Sequence, residues 1–154
     1  MTAWAGDDAV YQVMGRYPGE ITQEMIPLIK WEGFSDKPYD CGKGYKTVGV
    51  GQTGKYATMR FPEVFQVKLA ELVSMTPYYY NLPDFMKDAL IQANYRGDWR
   101  LSPRTRALFD DKKYEEAAEE FLNNHDYRTS KRTGTGVAER MEAVAEAMKK
   151  MADG

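Results

Sequence analysis

KWEGFSDKPYDCGKGYKTVGVGQTG, residues 30–54, decides how this chain is read. Upstream of it, Thr22 is placed to cap a helix carrying Met25, Ile26 and Ile29 at helical spacing and ending near Glu32-Gly33. Pro27 sits inside that span, so it either kinks the helix or marks its true first turn. From Lys37 to Val50 the pattern changes to a β-hairpin. Gly42 and Gly44 supply turn conformations, while Tyr45, Val48 and Val50 favour strands. A short helix followed at once by a glycine-rich hairpin is an α+β signature.

Outward from that stretch the chain is helical. Residues 6–16 predict a short amphipathic helix through Val10, Val13 and Met14, broken by Pro18-Gly19. After residue 62, PEVFQVKLAELVSM places Phe65, Leu69, Leu72 and Val73 at helical spacing, with Pro62 near its start. LPDFMKDALIQANY follows, then a loop RGDW, then SPRTRALF with Ser102-Pro103 as cap and first-turn pair. KKYEEAAEEFLNN sets Tyr114, Ala117, Ala118, Phe121 and Leu122 on one face; VAERMEAVAEAMKKM does so with Val137, Met141, Val144, Ala145 and Met148. The predicted fold is therefore α+β and mostly helical, with a small N-terminal hairpin lobe (about 20–60) and a helical C-terminal lobe (about 62–150). Residues 1–20 form an extra segment of one 154-residue domain. A seam between lobes is a usual place for a cleft.

Composition narrows the function classes. Hydrophobic residues make up 43% and aromatics 13%, enough for a core, and a chain of this length buries roughly 70% of its unfolded surface. A formal net charge of −2 argues against general nucleic-acid binding. The single cysteine cannot form an internal disulfide. No apolar run approaches the roughly 20 residues of a membrane span, so no stable membrane insertion is expected. The first residues lack the basic and apolar regions of a secretory signal, so the expectation is a soluble chain made in the cytoplasm. His125, the only histidine, sits in FLNNHDY and reads as a polar helix end facing a C-terminal dipole rather than as a base. With no His/Cys cluster at ligand spacing, no metal and no cofactor is expected, and carboxylates remain as the acid/base groups.

Glycoside hydrolysis needs one carboxylic acid to protonate the leaving oxygen and a second group across the sugar to hold water or attack. Glu32 suits the first role if its surroundings keep it protonated, and the hairpin that follows can carry the second group. Taken alone, Glu-Gly at a helix end is usually a solvated terminus.

The spacing adds to this. Glu32-Gly33, Lys37, Tyr39, Gly44-Tyr45, Thr47, Gly49 and Gly51 together resemble the catalytic segment of the phage-type (T-even-like) lysozymes, a muramidase family. The similarity continues more weakly through ALIQANYRGDW, KKYEEAAEEFL and GVAERMEAVAEAM, over about residues 22–148. It implies a lysozyme-like fold and Glu32 as general acid, with Thr47 hydrogen-bonding the attacking water. The family's aspartate position falls on Cys41, and some phage lysozymes carry cysteine there. Adjacent strand residues face opposite ways, so one of Asp40 and Cys41 faces the cleft; the register favours Cys41 and leaves Asp40 as the alternative. Gly51-Gln52 stands where relatives have Gly-His, a structural position. Arg140 lies in a helix similar to the one whose arginine partners the glutamate, although a surface pair with Glu139 is an equal reading.

Tyr95 and Trp99, read as lying in the loop after the long helix, offer either sugar stacking or lobe packing. RTSKR at 128–132, with Arg96, Arg100, Arg104 and Arg106, is either an attraction for an anionic wall polymer or a solvated face. The resemblance implies a monomeric muramidase acting on bacterial peptidoglycan, with Glu32, Thr47 and Cys41 or Asp40 as catalytic groups. Gly51, Gln52, Tyr95, Trp99 and Arg140 are the substrate-binding candidates. Such a protein waits in the host cytoplasm until released to the periplasm, or travels with the virion. The alternative is an inactive lysozyme-fold structural or wall-binding protein, and a chitinase-like glycosidase or bacteriocin domain is a third possibility.

Overall fold

A computed structural model describes residues 6–40 and 46–154. Cys41, Gly42, Gly44 and Tyr45 lie outside the described residues. The fold is α+β and mostly helical, with one two-stranded antiparallel sheet. It divides into two compact units, Trp4–Leu69 and Ala70–Gly154, with the boundary inside a helix.

In the first unit, α1 (Asp7–Arg16) packs on α2 (Ile26–Glu32). Its buried stripe is Ala9, Val10 and Val13; Met14, expected on that face, is 46% exposed. Thr22 precedes a 3₁₀ turn, Gln23–Met25, rather than α2 itself, and its side chain makes no capping bond. Pro27 then occupies the first turn of α2, where its missing N–H costs no helical bond. Leu28 and Ile29 are buried beneath it. Gly33 ends α2 at φ 75°, its N–H donating to Ile29 O at 2.8 Å.

The hairpin pairs β1 (Ser35–Asp40) with β2 (Lys46–Gly49). Its register is Ser35 opposite Gly49, Tyr39 opposite Thr47 and Asp40 opposite Lys46, with an irregularity between Ser35 and Tyr39. A 3₁₀ turn, Gly54–Thr58, leads into α3 (Phe61–Met75), which crosses into the second unit. Phe61, Val64 and Phe65 on its first turns are each 1% exposed or less.

The second unit holds α4 (Asp84–Arg96), α5 (Pro103–Asp110), α6 (Tyr114–Phe121), α7 (His125–Thr133) and α8 (Val137–Asp153). Helix α8 is its axis and packs on α4, α6 and α7. Met141, Val144, Ala145 and Met148 repeat at the 3.6-residue period and are buried, as are Ala117, Ala118 and Phe121 on α6. The alanines let the two backbones approach closely. Each fully buried Phe or Met contributes on the order of 2 kcal/mol through lost apolar exposure.

Two sequence expectations are corrected in this unit. His125 is the first residue of α7, not the end of the preceding helix. Asn124 caps it by accepting a hydrogen bond from the Tyr127 N–H at 2.8 Å, so the histidine sits at a positive rather than a negative dipole end. Tyr95 lies inside α4 and is buried, not in a loop. The helix runs one residue beyond it and closes at Gly97, φ 91°, whose N–H bonds back to Ala93 and Asn94.

Candidate active site

The Gly-x-Gly of the hairpin is a tight turn with two occupied hollows. Gly49 and Gly51 adopt φ of 64° and 58°, the left-handed region that glycine enters without steric cost. Val48 and Gln52 close the turn with reciprocal backbone hydrogen bonds of 3.0 and 2.9 Å. A Cβ on Gly49 would fall 3.1 Å from the Gln52 amide carbon. A Cβ on Gly51 would fall 2.8 Å from the Glu32 carboxyl carbon and 3.4 Å from its Cγ. Each glycine therefore holds a side chain against its bare backbone, and the side chain held by Gly51 is the expected acid.

Glu32 is the last residue of α2 and is half-buried. The end of the helix at Gly33 turns the backbone away and leaves the carboxyl against Gly51, 19 residues on in sequence. Thr47 stands four residues before Gly51, on the strand that feeds the turn. It is 5% exposed, and its Oγ1 is buried without a hydrogen-bond partner among the described residues. Tyr39, its cross-strand neighbour, shares its face. Asp40 is exposed and pairs with Lys46, which sets it on the face opposite Thr47. Cys41 lies outside the described residues.

Gln52 is structural in its contacts. It is 3% exposed; its Nε2 donates to Tyr56 O at 2.9 Å and Met59 O at 2.8 Å, and its Oε1 accepts from Val50 N–H at 3.2 Å. With those bonds committed, it staples the turn to the 3₁₀ segment and is not a group that meets a substrate. Gly51 contributes through its bare backbone rather than through a bond of its own.

The remaining candidates belong to the second unit. Trp99 is fully buried, donates from Nε1 to Thr76 Oγ1 at 3.0 Å, and meets Phe109 edge to face at 5.7 Å. Tyr95 is 8% exposed. Neither offers a ring face to a sugar; both are core, because apolar area this large is best hidden and the indole N–H has a partner there. Arg140 is 7% exposed, so it is not a surface residue; its Nε donates to Gln92 Oε1 at 2.9 Å, and Gln92 Nε2 returns a bond to Arg140 O at 3.3 Å.

The basic residues are largely engaged within their own unit. Arg96 pairs with Asp98, Arg104 with Glu120 and Lys131 with Glu142, while Arg106 donates to the carbonyls of Trp99 and Arg100. Tyr127 also donates to Glu142, and these two donors hold its carboxyl below the usual range. Among the described residues no cluster of histidine and carboxylate side chains could hold a metal ion, and no helix is long and apolar enough to cross a membrane.

Gln52's bonds and the Glu20–Arg60 pair, 2.9 Å at its longer contact and 40 residues apart, were invisible to pattern reading. The one local hint was the second glycine of the Gly-x-Gly, since two left-handed positions so close together imply a backbone approached by other atoms. Comparison with protein-family models, curated proteins and solved structures gave no match. The functional reading therefore rests on these side chains.

Proposed function

We propose that this chain is a peptidoglycan hydrolase of the muramidase type, cleaving the β-1,4 bond between N-acetylmuramic acid and N-acetylglucosamine. The observation that supports this best is the seat of Glu32: a half-buried carboxyl at a helix end, held on the bare backbone of Gly51. The same unit carries a buried threonine hydroxyl with no hydrogen-bond partner among the described residues. Water-attack glycoside cleavage requires an acid for the leaving oxygen and a base for the water; Glu32 supplies the first, and a threonine hydroxyl can help to position the water.

In this reading Glu32 gives its proton to the glycosidic oxygen as the C–O bond breaks. A water accepted by Thr47 Oγ1 adds to the anomeric carbon from the opposite face and loses its proton to the second group. Cys41, as its thiolate, is taken as that group because the resemblance to the phage-type lysozymes puts their aspartate position there, and because Asp40 faces away from Thr47. Direct water attack inverts the anomeric configuration, which NMR of the first-formed product reads directly.

Turbidity loss of outer-membrane-permeabilised Gram-negative cells, wild type against Glu32→Gln, tests the proposal. Clearing by wild type that falls about 100-fold or more in the variant is the expected result. Equal clearing by both proteins refutes Glu32 as the acid. Binding to the wall without clearing by either favours the inactive wall-binding reading, which the cysteine at residue 41 keeps in play.

A further inference from the structure

A cavity of about 210 Å³ opens within the first unit, between the end of α1, the start of β1 and the 3₁₀ turn before α3. Val48 and Gly49 line it, and Val48 faces away from Thr47 on the same strand, so the cavity is separate from the acid–hydroxyl site. Tyr17, Phe34, Ala57 and Met59 form apolar walls.

Most polar groups around it are already committed. Gln52 is spent on three internal bonds, and Ser35 Oγ donates to Lys37 O at 2.6 Å. Arg60 grips Glu20 through both terminal nitrogens and lies over the Tyr17 ring at 5.1 Å. That grip holds the Glu20 carboxyl below its usual range, and the Tyr17 hydroxyl accepts from the Phe61 N–H at 3.5 Å. The wall on this side is thus braced, not available.

Three groups remain: the guanidinium of Arg16, the carboxylate of Asp36 and the hydroxyl of Thr58. None makes a side-chain hydrogen bond or ion pair among the described residues, and Arg16 and Asp36 do not bridge each other across the cavity they share. A positive and a negative group, both uncommitted and lining one cavity with apolar side chains, are complementary to a ligand carrying both charges at one end and an apolar body at the other.

We infer that this cavity binds an α-amino-acid head group: its carboxylate on Arg16, its ammonium on Asp36, its side chain among Tyr17, Phe34 and Met59. The volume takes a ligand of about ten to twelve non-hydrogen atoms, and with both charged groups solvent-exposed the affinity is on the order of millimolar. The inference stands independently of the muramidase reading.

The test is amide NMR of the ¹⁵N-labelled chain titrated with phenylalanine. Saturable shifts are expected at residues 34–36, 48–49 and 57–60. Phenylacetate, lacking the ammonium, and phenethylamine, lacking the carboxylate, should each bind about tenfold more weakly or worse. Arg16→Met and Asp36→Asn should each bring phenylalanine down to the level of the matching truncated ligand. Both sites are on the surface, and the spectra themselves report whether each variant is folded. Nε-glycyl-lysine, which bears the same head group on a peptide, separates the two sources: tighter binding than phenylalanine assigns the site to a peptide-borne head group, weaker binding to a free amino acid. Shifts confined to other residues, no saturation with any of these probes, or unchanged affinity in the two variants would overturn the assignment.

Discussion

Gly51→Ala, set against Gly54→Ala, isolates what the Glu32 seat is for. Both glycines are left-handed, with φ of 58° and 55°, so alanine meets the same backbone penalty at each, about 1–2 kcal/mol. At Gly54 a Cβ meets nothing within 4 Å. At Gly51 it meets the Glu32 carboxyl carbon at 2.8 Å, well inside the roughly 3.5–4.0 Å of a relaxed contact. The carboxyl must retreat by about 1 Å, and it can, because it is the far end of a flexible side chain. The two variants should therefore lose similar stability, within about 0.5 kcal/mol of each other, and each melt roughly 2–8 °C below wild type. Their activities should separate. A misplacement of about 1 Å at a reacting group costs on the order of 100-fold, so Gly51→Ala should clear permeabilised cells about 100 times more slowly than Gly54→Ala. Thermal melts and turbidity measured on the same preparations read both quantities. Gly51→Ala as active as Gly54→Ala would show that the carboxyl's position on the turn does not matter, and the proposed acid would lose its main support.

Thr47→Val removes a buried hydroxyl that has no partner among the described residues, so chemical denaturation should show equal stability or a gain of about 0.5–1 kcal/mol, while lytic activity falls at least tenfold; a variant that is both less stable and fully active contradicts the assigned role. Gln52→Ala leaves one N–H and two carbonyls without their partner and should cost about 2–4 kcal/mol in urea unfolding; a loss under about 0.5 kcal/mol would show that the staple is not needed. Because Tyr127 and Lys131 depress the folded-state pKa of Glu142, its contribution is complete above the unfolded carboxylate value of about 4.3 and is lost as pH falls through the lower folded value. Glu142→Gln should accordingly lower the melting temperature at pH 7 and flatten the acid side of the stability profile; an acid limb as steep as that of wild type refutes the link.

Much of the architecture could be read locally. The 3.6-residue repeat of Met141, Val144, Ala145 and Met148 identifies α8 and its buried face, and the first-turn proline with Gly33 brackets α2. Helix α7 could not be read that way: HDYRTSKRT carries almost no apolar stripe, and what begins the helix is the Asn124 cap, a signal easily mistaken for the previous helix's end. Arg128 and Lys131 are then drawn into bonds with Asn123 and Glu142.

By itself the order of residues determined the apolar faces of α3, α6 and α8, that a helix ends near Glu32-Gly33 and that a hairpin follows it, because these depend on periodicity and backbone preferences acting over a few neighbours. Only the tertiary structure decided that Glu32 rests on Gly51, that Gln52 is consumed by the turn, that Trp99 and Tyr95 are core, and that Thr47 keeps a buried hydroxyl unbonded. Burial and hydrogen-bond commitment are properties of atoms brought together from distant positions, and a tryptophan or a glutamine carries no mark along the chain of which neighbours will claim it.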